Sequence, residues 1–132
     1  MSGRDQMPAT AEDPQRERPN PPAPEASSEE TAVVSPETQL VIALLARRWS
    51  LPILGALQAG TLRHYELRRR VGDVADKVLV ETLRALEDEN LVNRAAYAEV
   101  PLRVEYSLTE DARELCVSLA PLDDWARRHH RG

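Results

Sequence analysis

The segment from Leu91 to Glu110, LVNRAAYAEVPLRVEYSLTE, constrains the fold more than any other part of the chain. Apolar and polar residues alternate strictly from Arg103 to Leu108, which predicts a strand with one face in water. Residues 91–97 supply a preceding strand, and Pro101 lies near the turn, where no ladder donor is needed. The segment therefore predicts a two-stranded hairpin, with an acidic helix before it and a helix capped by Thr109 after it.

Helical patterns precede the hairpin. Serine, proline and glutamate at positions 35–37 suit the cap, the first position and the positive end of a helix, so they predict a first helix. A second helix is expected from Ser50 to Ala59, with Gly60 as its end. An extended piece from Thr61 to His64 then leads into a short third helix, YELRRRV, whose apolar residues have helical spacing.

The clearest helix in the sequence runs from Asp76 to about Glu89, and Asn90 after it tolerates the left-handed conformation that ends helices. Its apolar stripe consists of Leu79, Leu83 and Leu86. A last helix follows the Thr109 cap, and Pro121 inside it is expected to kink or split it. The apolar face of this last helix is formed by Leu115, Leu119, Leu122 and Ala126, with Trp125 beside it.

The predicted elements follow the order helix, helix, short strand, helix, helix, hairpin, helix. A helix-turn-helix followed at once by a two-stranded hairpin is the winged-helix arrangement, a mainly helical α+β fold. The hairpin is then a wing, whose base packs Val92, Val104 and Tyr106 on the core. The loop of the wing is expected to project residues 99–103 outward.

Composition separates the first 34 residues from the rest of the chain. They hold six of the 10 prolines, no aromatic residue, and seven acidic residues against three arginines. Such a segment buries too little apolar surface to offset the entropy of ordering, so residues 1–34 are predicted to be a disordered acidic tail. Residues 35–132 carry 14 basic and 15 acidic residues, a net charge of −1. A nucleic-acid interpretation of this domain must therefore depend on where its arginines lie.

Other classes of protein find little support. The sequence has neither the basic start and apolar run of a signal peptide nor the ~20 apolar residues of a membrane span. Its single cysteine, Cys116, can form no internal disulfide. A cytoplasmic protein is therefore expected. It has no glycine-rich phosphate loop, zinc-ligand spacing or GxSxG motif. The prediction is a protein that is not an enzyme, with no catalytic residue, cofactor or metal site.

Five pieces of the sequence carry a resemblance to a known family: ARRW, SLPILGAL, LRHYELRRRV, DKVLVETLRALEDENLV and above all YAEVPLRVEYSLTE. Across Ser35 to Trp125, the chain resembles the HxlR-type winged helix-turn-helix transcription regulators, relatives of the MarR group. The resemblance implies a cytoplasmic homodimer that joins through its first and last helices. The resemblance also implies that such a dimer binds a pseudo-palindromic operator in double-stranded DNA. Whether a small-molecule effector controls this binding is left open.

The chain also departs from the family pattern. Many members have a Cys-Pro pair before the first helix, whereas this chain has Ser35-Pro36, so a thiol-sensing role does not carry over. His64 replaces a phenylalanine usual in the short strand, and Tyr65 replaces a small polar cap. Before the recognition helix, Ala75 replaces the usual serine or threonine cap, and Val80 replaces a threonine one turn in.

The candidate DNA contacts come from three elements. The apolar stripe of the recognition helix leaves four residues facing outward: Lys77, Val80, Glu81 and Arg84. The preceding helix offers at most two arginines of its run, Arg68 and Arg69, and the wing offers Arg94 and Arg103. Arg103 is the best single candidate, because it lies near the wing tip where no core role explains it. The competing interpretation is that these charges only solvate an outer face. Asp76 argues against tight DNA binding, because it brings a negative charge near the phosphates.

A small-molecule pocket and a different function are the open alternatives. Trp49, His64, Tyr65 and Trp125 are the candidates to line an effector pocket between the helices and the dimer seam, although a histidine at a strand edge is a simpler account of His64. The acidic recognition helix, the missing cap at Ala75 and the acidic tail favour a winged-helix protein that has lost DNA binding. Such a protein serves as a ligand-binding or protein-interaction module.

Overall fold

The computed structural model describes residues 33–130 of the chain. The predicted tail therefore lies outside the described residues, apart from its last two. Five helices and three strands form the folded part: α1 (Pro36–Leu45), α2 (Ser50–Leu57), β1 (Leu62–Arg63), α3 (His64–Val71), α4 (Asp76–Asp88), β2 (Val92–Tyr97), β3 (Arg103–Leu108) and α5 (Glu110–His129).

The strands form one antiparallel sheet in the order β1-β3-β2. β2 and β3 make the predicted hairpin, in which Tyr97 lies opposite Arg103. β1 adds a third strand on the other side of β3, where Leu62 lies opposite Tyr106. The winged-helix prediction is confirmed, and the short strand predicted before α3 joins the base of the wing.

The core lies where α2, α3 and α4 meet the sheet. Its most deeply buried apolar side chains are Ile53, Leu54, Leu57, Leu67, Leu79, Leu83 and Leu86. The last three are the stripe that the sequence predicts for the recognition helix. Fully burying one such side chain contributes about 1.5–3 kcal/mol, so this stripe fixes which face of α4 is left for solvent.

The end of α4 is closed by a Schellman motif. Asn90 adopts the left-handed conformation with φ 60°, as the sequence predicts. Its N–H donates to the carbonyl of Glu87 at 2.9 Å, and the N–H of Leu91 donates to the carbonyl of Leu86 at 2.9 Å. These bonds satisfy carbonyls that the helix end leaves open and turn the chain into β2.

Thr109 joins the wing to the last helix. Its hydroxyl oxygen accepts from the N–H of Ala112 at 3.0 Å, which confirms the predicted cap of α5. The same hydroxyl donates to the carbonyl of Asn90 at 2.7 Å, and the Asn90 amide donates to the Asp111 carboxylate at 2.8 Å. The start of α5 is thereby tied to the end of α4 across the base of the hairpin.

Two helices differ from their predicted bounds. α2 ends at Leu57 rather than Ala59, and Gly60 follows with a φ of 146° that suits glycine. α3 begins at His64, which was predicted to belong to the extended piece before the helix.

α5 runs through Pro121 as one helix, so of the predicted kink or split the split does not occur. Proline removes the bond to the carbonyl of Val117, but Val117 is 74% exposed, so water can pair that carbonyl instead.

Membrane insertion was tested by length and composition. Among residues 33–130 no single helix is long and apolar enough to cross a bilayer; α1 and α2 meet the requirement only as a pair, and they are bent by 83° relative to each other.

Candidate nucleic-acid interface

The turn between α3 and α4 is built by glycine and one buried valine. Gly72 has a φ of 118°, and its N–H donates to the carbonyl of Arg68 at 3.1 Å. Val74 is 3% exposed, and its N–H donates to the carbonyl of Gly72 at 2.9 Å. The Nε of Arg68 then donates to the carbonyl of Val74 at 3.3 Å. Arg68, a predicted DNA contact, therefore also braces the turn.

The N-terminus of α4 has no side-chain cap. Ala75 is in the cap position with extended backbone and no oxygen to offer, as the sequence indicates. The helix begins at Asp76, whose carboxylate accepts a hydrogen bond from Nε2 of His64 at 2.7 Å. His64 is the first residue of α3, so this bond joins the starts of the two helices of the helix-turn-helix.

The pKa of Asp76 is lowered, first by the hydrogen bond from His64; desolvation opposes the shift, and the nearby charges of His64 and Arg68 lower the pKa further. The carboxylate is therefore held in its charged form, with an imidazole as its direct partner. The sequence placed Asp76 near the phosphates but missed its partner, which lies 12 positions earlier in the chain.

The cap of α3 also differs from the sequence expectation. Its cap residue is Arg63, whose N–H donates to the Glu66 carboxylate at 2.8 Å, and Tyr65 lies inside the first turn. The ring of Tyr65 is 56% exposed and lies 5.8 Å from the guanidinium of Arg69. Tyr65 thus presents an aromatic surface beside a predicted DNA-binding arginine rather than a capping group.

On α4 the outward residues are those that the apolar stripe predicts. Lys77, Glu81 and Arg84 are exposed, and Val80 is half-buried. Their positions suit contact with a major groove, and their contact with DNA remains a prediction.

A cleft joins the recognition helix to the wing. Arg84 of α4 and Arg94 of β2 both line a hollow of about 370 Å³, together with Val80, Glu87 and Tyr106. Arg94 is exposed in the first half of β2. The fold therefore brings two arginines from separate elements to one opening, a juxtaposition that spacing along the chain does not reveal.

Arg103 has a structural role that the sequence did not predict. Its guanidinium is 3.0 Å from the Glu99 carboxylate, 3.4 Å from the Glu105 carboxylate and 4.0 Å from the centroid of the Tyr97 ring. Its side chain is only 28% exposed, and its Nε is buried without a hydrogen-bond partner among the described residues. Arg103 therefore closes the wing instead of projecting freely from it.

The predicted effector-pocket residues are only partly brought together. His64 and Tyr65 line a cleft of about 460 Å³ opposite the wing loop. Trp49 packs against the core with Arg48 4.8 Å above its ring, and Trp125 stacks on His129 with 4.7 Å between ring centroids. Within one chain, only His64 and Tyr65 share a cleft, and the role of that cleft as an effector pocket remains a prediction.

The sequence did not predict a further cleft, which lies between α2 and α5. Its volume is about 510 Å³, and it is lined mainly by apolar groups with Gln58 and Asp123 at its wall. Cys116 lies in it, and burial raises the pKa of its thiol. The signal was present in the sequence as the apolar face of the last helix, whose distal part, including Leu122 at 59% exposure, extends beyond the core.

The comparison with protein families agrees with this architecture. Residues 44–131 match the family model described as HxlR-like helix-turn-helix. The chain belongs to this family. The expected family is thereby confirmed, and the match runs from the last two residues of α1 through the end of α5.

Relatives and solved structures place the chain among transcription regulators. It is 44% identical over 85 residues to the uncharacterized HTH-type transcriptional regulator YtfH of Escherichia coli K12, a match covering 64% of this chain and 68% of the relative. A solved ytfH regulator from Salmonella typhimurium is 40% identical, with a TM-score of 0.60 over 68% of this chain and 80% of that chain. Diamide-treated YodB from Bacillus subtilis is 28% identical, with a TM-score of 0.68 over 76% of this chain and 100% of that chain.

Proposed function

We propose that this chain is a dimeric, sequence-specific DNA-binding transcription regulator. The observation that carries the proposal is the cleft shared by Arg84 and Arg94, because it puts cations of the recognition helix and of the wing on one side of the molecule. Two arginines that line one opening suit a phosphate of a DNA strand that passes between helix and wing, although Glu87 lines the same cleft.

The remaining contacts follow from the placement of α4. With this helix in a major groove, residues near its N-terminus meet base edges while flanking groups hold phosphates. Lys77 is suited to guanine or phosphate, Glu81 to the amino group of cytosine, and Val80 to a thymine methyl. Arg68 and Arg69 of α3 extend the phosphate-binding side beyond the helix-turn-helix.

Dimerisation is supported by apolar surface outside the core. On α1, Leu40 is 71% exposed and Ile42 is 52% exposed. On α5, Leu122 and Trp125 are 59% and 54% exposed. Large apolar side chains on the first and last helices suit a symmetric interface with a second copy, which would present two recognition helices to two half-sites.

Fluorescence anisotropy with a labelled duplex from the region upstream of the protein's own gene tests the proposal. We expect the logarithm of the affinity to fall linearly with the logarithm of the salt concentration, because phosphate contacts release counterions. A scrambled duplex should bind more weakly. Equal affinity for both duplexes, or no salt dependence, would contradict a sequence-specific DNA-binding function.

A second function is favoured by two other observations. The charge of Arg103 is shared between two carboxylates, and an apolar cleft lies between α2 and α5. Both suit a ligand-binding module that has lost DNA binding. Thermal unfolding with a panel of small apolar molecules separates the two functions: a compound that raises the melting temperature of a protein that binds no duplex supports the module.

A further inference from the structure

The contact between His64 and Asp76 joins the first residues of α3 and α4. The cap position before Asp76 is Ala75, which has no side-chain oxygen to offer. The 2.7 Å bond puts an imidazole against the carboxylate that lies nearest the N-terminus of the recognition helix. Loss of either side chain would leave the other without this partner, so the two residues are best considered together.

We propose that His64 is a positioning residue for DNA binding, which offsets the charge of Asp76 and holds the first turn of α4 against α3. The inference rests on the proposed DNA-binding function and concerns the same surface. His64 is not required to touch DNA in this role, since its effect passes through Asp76.

Electrostatics gives the reason that a partner is needed. A carboxylate suits the positive end of a helix, but the same end approaches the phosphates when the helix enters a groove. Unpaired, Asp76 would repel the duplex, because its side chain is 60% exposed at the end of the helix that approaches the phosphates. Paired with a protonated imidazole, the two groups together are neutral, and the repulsion at the distance of a phosphate largely cancels.

Mechanical support gives a second reason. Because Ala75 supplies no cap, the first turn of α4 is held from α3 by two side-chain bonds, Arg68 to Val74 and His64 to Asp76. The imidazole is itself placed by the wing base, since the Tyr106 ring lies 6.2 Å from it. The position of the reading end of α4 thus depends on two contacts that cross the turn.

Other charged groups also lie near His64. The cleft beside it is lined by Arg63 of β1 and by Glu99 and Arg103 of the wing, and the last two pair with each other. On α4 and α3 the facing charges are Asp76 and, acting on it, Arg68. Asp76 is the group in direct contact, so its removal should separate the effect of this pair from the others.

The test is a double-mutant cycle on DNA affinity, measured by fluorescence anisotropy at fixed salt. His64→Phe should weaken binding by about tenfold, because it leaves the Asp76 charge facing the duplex. Adding Asp76→Asn to His64→Phe should restore the affinity to within about threefold of the wild type, because no charge then remains to offset. His64→Gln supplies a second uncharged variant where phenylalanine disturbs folding, and His130→Gln is the matched control, with no expected change.

The rescue by Asp76→Asn provides a readout that a merely structural role would not move. If His64 only supported the fold, removal of the Asp76 charge would leave the affinity of His64→Phe unchanged.

Three results would overturn the inference, and each has a different meaning. Unchanged affinity in both His64→Phe and His64→Gln would show that the pair has no effect on binding. Weak binding that Asp76→Asn does not restore would assign His64 a direct contact instead. A wild-type protein that binds no duplex at all would remove the proposed function itself, whereas the first two results are obtained with a wild type that binds.

Discussion

The guanidinium carbon of Arg103 lies 4.0 Å from the centroid of the Tyr97 ring, and the two residues are directly opposite each other in the β2–β3 register. Glu99 and Glu105 flank the same guanidinium at 3.0 Å and 3.4 Å. A cation–π contact at such a site contributes ~0.5–1 kcal/mol, and an exposed ion pair contributes ~0.2–1 kcal/mol. The wing is therefore held in shape by a residue that was expected to be free for DNA.

From this arrangement we predict that Arg103→Ala weakens DNA binding without changing its salt dependence. Carboxylates of the wing already pair with Arg103, so this residue displaces no counterion from the DNA, and its removal leaves the salt dependence unchanged. The affinity itself should fall by roughly a few-fold, because the hairpin is held less firmly. Tyr97→Leu should reproduce the effect, because it removes the other half of the stack. Salt titrations of both variants check this, and a slope that decreases by about one in Arg103→Ala would instead make Arg103 a phosphate contact.

Arg94 should behave in the opposite way. It is exposed on β2 and lines the cleft between helix and wing together with Arg84. Arg94→Ala is expected to weaken binding to all duplexes to a similar extent and to lower the salt slope by about one. Arg127→Ala on α5, where the guanidinium pairs with Asp123 at 3.0 Å, is the matched control and should leave the slope unchanged. An unaltered slope in Arg94→Ala would exclude it from the phosphate contacts.

Much of the fold was predictable because its signals are local. The stripe of α4, the left-handed Asn90 and the Thr109 cap each depend on residues within a few positions, and all three are confirmed. Pro121 was misjudged for a related reason. Proline removes a hydrogen bond wherever it stands in a helix, but the consequence depends on whether solvent reaches the carbonyl that loses its partner.

The candidate site was less accessible to sequence reasoning. The outward residues on α4 follow from periodicity, but the side-chain contacts that pair with charged groups of the site do not. His64 meets Asp76 only after the turn at Gly72 folds α3 against α4, and Arg103 meets Glu99 only because the hairpin loop bends back. Side-chain pairings across turns depend on three-dimensional geometry that spacing does not determine. The Tyr97–Arg103 pair is the exception, since the hairpin register puts these residues opposite each other.

The exposed apolar side chains of α5 lead to a prediction about oligomeric state. Trp125→Glu is expected to convert a dimer to a monomer and to weaken binding to a two-half-site duplex by more than tenfold, because a buried interface charge is costly. Size-exclusion chromatography with light scattering gives the molar mass. Val100→Glu is the control for mass, since Val100 is a fully exposed apolar residue of the wing loop. A wild type that is monomeric at working concentrations would contradict the dimer.

Thr109 provides a prediction about stability. Its hydroxyl both caps α5 and donates to the carbonyl of Asn90, and the residue is 7% exposed. Thr109→Ala should therefore lower the free energy of unfolding by about 1–2 kcal/mol. Urea unfolding followed by circular dichroism measures the change. Ser118→Ala is the matched control, because its hydroxyl bonds only the Glu114 carbonyl on an exposed turn of the same helix, and its effect should be near zero.

The depressed pKa of Asp76 makes a prediction about acid. Because the folded-state pKa lies below the ordinary value and the first cause is the His64 bond, the contact stabilises the protein above about pH 4 and is lost as pH falls through the folded-state value. An NMR titration of the Asp76 side-chain carboxyl carbon should show a midpoint below that of a free aspartate. His64→Phe should move the midpoint upward, toward the ordinary value. An Asp76 midpoint that stays in place in His64→Phe would assign the shift to a different cause.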